Sequence, residues 1–115
     1  MAAPRRILIV EDEALVSILI EDALTDLGIE VAGVAGTLEE ALAHAEEANF
    51  DCAILDLHIQ GKDVFPVAEA LAARGVPFIF ATGYGQSSVP EKYRERPVLQ
   101  KPFMPRELQR VLAKV

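Results

Sequence analysis

Tryptophan is absent, cysteine occurs once, and no uninterrupted apolar run exceeds four residues in this chain of 115. A bilayer span needs about 20 apolar residues in succession, so no transmembrane helix is expected. Arg5 and Arg6 stand before one of the short runs, Ile7 to Val10, but acids follow at once, which is the wrong order for a secretory leader. With Cys52 alone there is no intrachain disulfide framework and no implied oxidising compartment, and a small buried hydrophobe is its simplest role. Positive charge is also scarce: 11 Lys and Arg face 18 Asp and Glu, for a net charge of −7. That balance argues against a domain that binds nucleic acid by neutralising phosphates. Repeats, low-complexity segments and linkers are missing as well. What remains, at 51% hydrophobic, is apolar material for one core, and a single cytoplasmic domain over residues 1–115 is expected.

The negative charge is unevenly spread. Residues 1–90 carry four basic and fifteen acidic side chains (−11), whereas residues 91–115 carry seven basic and three acidic (+4). The basic excess reads first as a solvated helix face and second as a docking face for an anionic partner.

Short apolar runs alternate with helix-spaced stripes, the pattern of a parallel α/β sheet. Ile7 to Val10 leads into a helix whose stripe Leu15, Val16, Leu19, Ile20, Ala23, Leu24 and Leu27 is predicted to face the core, opposite Ser17, Glu21, Asp22 and Thr25. Gly28 ends it. A second run, Val31 to Ala35, stops at Gly36, and Thr37-Leu38-Glu39-Glu40 matches the capping box that satisfies free amides at a helix start. Leu38, Ala41, Leu42 and Ala45 point inward from that helix, with His44 on its solvated side. Cys52 to Leu55 is the third strand; after Asp56 and a Gly61-containing loop, a helix carries Val64, Val67, Ala68 and Leu71 to a stop at Gly75. Val76 to Ala81 is the fourth strand. Gly83, Gly85 and Pro90 then weaken the pattern, so a fourth helix near Pro90 to Arg96 is predicted to be short or mobile. Val98 to Gln100 is a fifth strand, and Leu108, Val111, Leu112 and Val115 stripe a last helix. Five β/α units predict a three-layer, doubly wound, flavodoxin-like parallel sheet in strand order 2-1-3-4-5.

In such sheets ligands bind beyond the carboxyl ends of the strands, where the winding reverses between strands one and three. Strand one ends in Glu11-Asp12, strand three in Asp56, strand four in Thr82 and strand five in Lys101-Pro102. Carboxylates brought within ~5 Å repel by about 3 kcal/mol per pair at an effective dielectric near 20. A positive charge must offset that. Mg²⁺, a hard ion with oxygen ligands, is the natural candidate, and Lys101 supplies a second, mobile cation. With both in place Asp56 can remain ionised and act as a nucleophile toward phosphorus, while Thr82 donates to a phosphoryl oxygen.

These residues lie in segments that resemble one family. Ile7-Leu8-Ile9-Val10-Glu11-Asp12-Glu13, Ala53-Ile54-Leu55-Asp56-Leu57, Thr82-Gly83 and Lys101-Pro102-Phe103 resemble, in order and over essentially the whole chain, the motifs of bacterial two-component response-regulator receiver domains (CheY-like). Each motif is weak alone, and their conjunction is specific. The resemblance implies a signalling phosphoacceptor rather than an enzyme with a separate substrate. Asp56 would take a phosphoryl group from a histidine kinase or histidine phosphotransferase, and the chain would then switch a protein partner, through a face within residues 84–115. It also implies a Mg²⁺ site in which Asp12 and Asp56 are ligands, Glu11 acts partly through water and His58 supplies its backbone carbonyl. Lys101 and Thr82 would engage the phosphoryl group, and the Lys101–Pro102 peptide would be cis. Pro77 to Tyr84 further resembles the receiver subgroup named for Phe-Ala-Thr-Gly-Tyr and linked to general stress signalling, many of whose members stand alone.

One departure and several rivals stand beside that reading. Common receivers carry Tyr or Phe three residues before the lysine, as a rotating switch, where this chain has Val98. Tyr84, or the segment after Gly83, is the expected substitute. Haloacid-dehalogenase-like phosphatases also use a strand-terminal Asp, Mg²⁺, Thr or Ser and Lys, but they carry a second Asp two residues on, where this chain has His58. A pseudo-receiver that never turns over phosphate is the other rival, and the intact set of Glu11, Asp12, Asp56, Thr82 and Lys101 argues against it. Taken singly, Glu11 and Asp12 read equally well as acids at a helix start, Asp56 and Thr82 as turn residues and Lys101 as a solvated lysine. A transition-metal site at His58 lacks companion His or Cys residues.

Overall fold

The computed structural model describes residues 6–47, 49–83 and 89–115. In chain order the elements are β1 (Arg6–Val10), α1 (Ala14–Asp26), β2 (Glu30–Ala35), α2 (Leu38–Glu47), β3 (Cys52–Asp56), β4 (His58–Ile59), β5 (Lys62–Asp63), α3 (Phe65–Ala73), β6 (Phe78–Thr82), a 3-10 turn at Glu91–Tyr93, β7 (Val98–Gln100) and α4 (Pro105–Leu112). Five strands pair in parallel in the order β2-β1-β3-β6-β7, which is the predicted doubly wound arrangement. The chain winds outward from β1 in one direction to β2 and in the other through β3, and the two directions part at the carboxyl ends of β1 and β3.

Alternation along the strands divides the core into two layers. Ile7, Ile9, Cys52, Ile54, Ile79 and Ala81 face one side, where α1 and α4 cover them with Ile20, Ala23, Leu24, Leu108 and Leu112. Leu8, Val10, Ala53, Leu55, Phe78 and Phe80 face the other, under Ala41, Ala45, Val67, Ala68, Leu71 and Tyr93. β3 is buried on both faces, as a central parallel strand should be. The predicted stops hold: Gly28 and Gly75 take φ of 77° and 72°, a region most side chains avoid. At the start of α2 the Thr37 hydroxyl accepts from the Glu40 amide at 3.1 Å, and the Glu40 carboxylate accepts from the Gly36 amide at 3.0 Å.

Three features differ from the sequence reading. On α1, Leu15 and Leu19 were expected inside but are 77% and 64% exposed, whereas Ser17, expected outside, is buried. The helix carries two adjacent apolar stripes, and periodicity cannot tell which one meets the sheet. Ser17 tolerates burial because its hydroxyl donates to the Ala14 carbonyl at 2.9 Å. The loop after Asp56 is not irregular but a two-stranded antiparallel ribbon, β4–β5, turning at Gln60 (φ 53°) and Gly61 (φ 77°). The fourth helix, expected to be short or mobile, is among the described residues the single turn Glu91–Tyr93, in keeping with that expectation. His44 is half-buried rather than solvated, with its ring against β2, where a Cβ on Gly33 would stand 2.8 Å from Cε1.

Candidate functional site

The site forms where four strands end. The Glu11 amide donates to the Ala35 carbonyl at 2.9 Å, which carries the β1–β2 ladder one residue past β1 and fixes the acidic pair at the sheet edge. Carboxylate oxygens of Glu11, Asp12 and Asp56 lie within 4.8 Å of one another. The Lys101 ammonium stands between two of them, 2.5 Å from Glu11 Oε1 and 3.3 Å from Asp56 Oδ2. Its backbone amide donates to the Thr82 carbonyl at 2.8 Å, so β6 sets the height at which the lysine enters, and the Lys101–Pro102 peptide is cis as predicted. Thr82 is buried at the end of β6. The cleft these groups surround, about 520 Å³, is lined by Asp12, Glu13, Asp56, His58, Gly83 and Lys101, among others.

Burial decides the electrostatics. The Glu11 side chain is 1% exposed, those of Asp56 and Lys101 17% each. Burial pushes the Glu11 carboxyl above its usual range, and the Asp56 charge adds to this, against the hydrogen bonds from Lys101 and the Glu13 amide. Burial alone would lower the Lys101 ammonium, but its hydrogen bond to Glu11 and the charges of Asp56 and Glu11 outweigh that and raise it. The two shifts thus have different causes, burial for Glu11 and the paired acids for Lys101. The donor set is all oxygen and crowded, with more negative charge than one lysine neutralises, which fits a hard divalent cation such as Mg²⁺.

Glu11, Asp12, Asp56, Thr82 and Lys101 therefore converge as the sequence reading expects. The His58 side chain does not join the carboxylates: it is 53% exposed and faces Asp63, with Nε2 3.6 Å from Oδ1. Tyr84 lies outside the described residues. Val98 pairs with Phe80 across β6–β7, and Tyr93 stacks on Phe65 at 5.8 Å and meets Phe78 and Phe80 edge-on at 5.9 Å. Two contributors escaped the sequence reading. The Gln60 amide donates to Asp12 Oδ2 at 2.8 Å and orients that carboxylate; the Gln60-Gly61 pair, a turn signal, could have announced it. An apolar groove of about 380 Å³ also opens beside Lys101, lined by Val16, Leu19, Ala23, Pro102, Phe103 and Pro105.

Comparison with known proteins agrees with this geometry. Residues 7–113 match the response regulator receiver domain family. The chain belongs to that family. Receivers are signalling domains of two-component systems, not classical enzymes. This receiver is 36% identical over 118 residues to the phyllosphere-induced regulator PhyR of Methylorubrum extorquens, covering 93% of this chain and 42% of that protein. It spans about half the length of the curated relatives it matches, 52% at most among these. Its fold superposes on the solution structure of SdrG from Sphingomonas melonis Fr1 with a TM-score of 0.88, at 47% identity over 98% of this chain and 97% of that one. The receiver domain of the sensor histidine kinase PA1611 of Pseudomonas aeruginosa, solved with magnesium coordinated in its active-site cleft, matches with a TM-score of 0.78 at 28% identity, covering 97% of each chain.

Proposed function

We propose that this receiver, a single unit over residues 1–115, accepts a phosphoryl group on Asp56 from a histidine kinase or histidine phosphotransferase and thereby switches its affinity for a protein partner. The observation that carries the reading is the position of Lys101, wedged between Glu11 and Asp56 in a cleft with three carboxylates. Glu11, Asp12 and Asp56, with the His58 carbonyl, would hold Mg²⁺. When bound, the ion supplies positive charge to the phosphoryl oxygens and relieves the repulsion among the carboxylates.

In the step itself an Asp56 carboxylate oxygen attacks phosphorus; the O–P bond forms, the P–N bond to the donor imidazole breaks, and the imidazole leaves with the bonding pair. Lys101 already lies within reach of Asp56 Oδ2 and neutralises a phosphoryl oxygen there. The Thr82 hydroxyl donates to another. A protein donor must also rest against the receiver, and the groove at Val16, Leu19 and Phe103 offers it an apolar seat next to Lys101. Likeness to PhyR and SdrG, together with the segment Pro77 to Tyr84, supports placing the chain in the Phe-Ala-Thr-Gly-Tyr subgroup and in stress signalling.

Intact mass after incubation with Mg²⁺ and acetyl phosphate or a phosphorylated kinase tests the reading. Wild type should gain one phosphoryl group and Asp56→Asn none. A wild-type chain that binds Mg²⁺ yet never gains the mass is a pseudo-receiver, and steady release of phosphate from a simple phosphomonoester would make it a phosphatase. Amide exchange in the part of the 84–115 face that the structure describes, residues 89–115, should change when Asp56 is phosphorylated.

A further inference from the structure

Ile59 pairs with Lys62 at the end of the β4–β5 ribbon, so Gln60 and Gly61 form a two-residue hairpin loop, and both take positive φ, 53° and 77°. Loops of this kind favour Asn or Gly at the first position, since most side chains are strained there. Among the described residues Gln60 is the one non-glycine residue held at positive φ. What it gains in return is a contact 48 positions away, the hydrogen bond from its amide to Asp12 Oδ2 at 2.8 Å. The ribbon is firmly rooted: Ile59 and Val64 are fully buried, and the Val64 amide donates to the Leu57 carbonyl at 2.9 Å. Across it His58 faces Asp63. Asp12, by contrast, is exposed, and the terminal torsion of an aspartate is soft unless a partner fixes it.

We infer that the Gln60 backbone amide is a positioning group that sets the affinity of the acidic cluster for a divalent cation, with the strained ribbon tip as its mount. It fixes the Asp12 carboxylate before the ion arrives. A carboxylate has about four acceptor positions, so one bond from an amide leaves it able to bind a cation. Asp12 makes this bond while its ligand atom stays within 4.8 Å of those of Glu11 and Asp56. A ligand ordered in advance loses less freedom on binding, and outer partners of this kind change metal affinity by about 10- to 100-fold. The inference rests on the receiver reading only in taking Mg²⁺ as the ion. The same ribbon carries His58, whose carbonyl that reading assigns to Mg²⁺, so one rigid unit serves two of the groups around the ion.

The test is made on the full chain. Chemical ligation at Cys52 gives a protein in which an ester oxygen replaces the Gln60 N–H and every side chain is kept. In a calorimetric Mg²⁺ titration the ester should bind about tenfold more weakly than wild type. Q60N, which keeps the amide and suits positive φ better, should bind like wild type. Without metal, the Gln60 amide should exchange with solvent about tenfold faster in Asp12→Ala than in wild type, read by NMR. Wild-type affinity in the ester, an equal loss in Q60N, or unchanged exchange at Gln60 in Asp12→Ala would each overturn the inference. The exchange measurement uses only ordinary peptide bonds, so it decides the outcome even if the ester does not fold. A chain that shows this dependence but never gains a phosphoryl group sinks the receiver reading and leaves the role of Gln60 standing. An ester that keeps wild-type affinity in a chain that does gain one has the reverse meaning.

Discussion

Cys52 lies fully buried in the middle of the sheet, and burial pushes its thiol from the usual 9.0 up to about 12. In the unfolded chain the thiol ionises first, so the native state holds the extra proton between those values and loses stability as pH rises through them, by up to about 1.4 kcal/mol per unit. Urea unfolding of wild type and Cys52→Ala from pH 8 upward should show the wild type losing stability faster beyond pH 9. Tyr93 makes the opposite case. Its ring is packed among Phe65, Phe78 and Phe80, but its buried hydroxyl has no hydrogen-bond partner among the described residues. Tyr93→Phe should therefore raise stability by about 1 kcal/mol in the same assay, since it removes a desolvated group and no bond. Neither environment was legible in the sequence beyond the inference that Cys52 is buried. Residue type shows what a side chain can do, and only the packed neighbours show whether its polar atom finds company.

At the level of elements, strands were the easier part. β1 and β3 match the apolar runs almost residue for residue, because a parallel strand covered on both faces has no polar side to blur it. α1 was harder, having two apolar stripes where a helix packed on one sheet needs one. The pair Leu19 and Ile20, adjacent in sequence and opposite in environment, makes the distinction measurable: Leu19 is 64% exposed, Ile20 1%. Leu19→Ser should change stability by no more than about 0.5 kcal/mol, whereas Ile20→Ala should cost about 2–5 kcal/mol by equilibrium unfolding. If the groove beside Lys101 seats the phosphoryl donor, Leu19→Ser should also slow transfer from a phosphorylated kinase while leaving transfer from acetyl phosphate unchanged. The β4–β5 ribbon was missed because its strands are two residues each, too short for any periodicity, yet it delivers the Gln60 amide to Asp12.

For the molecule as a whole, the fold and the meeting of Glu11, Asp12, Asp56, Thr82 and Lys101 were legible because strand order turns separate strand ends into neighbours; the alternation of runs and stripes gives the doubly wound class, and 2-1-3-4-5 is the order that short sheets of this class commonly adopt. The groove and the second contact of Lys101 were not, since both depend on tertiary packing that hydrophobic periodicity does not fix. Crowded carboxylates under one lysine should make the native state a better Mg²⁺ ligand than the unfolded chain. The melting temperature should rise with Mg²⁺ and return on chelation, with about 2.7 kcal/mol of added stability at a hundredfold excess over Kd, and the rise should shrink in Asp12→Asn. The bond that closes the cluster joins residues 90 positions apart, from the first strand to the segment just after the last. On the proposed reading, a chain interrupted before β7, whether still on the ribosome or clipped by a protease, would keep Asp56 but lack the Lys101 cation beside it. Under that reading such fragments would be silent: they would neither drain phosphoryl groups from a donor nor report a false message.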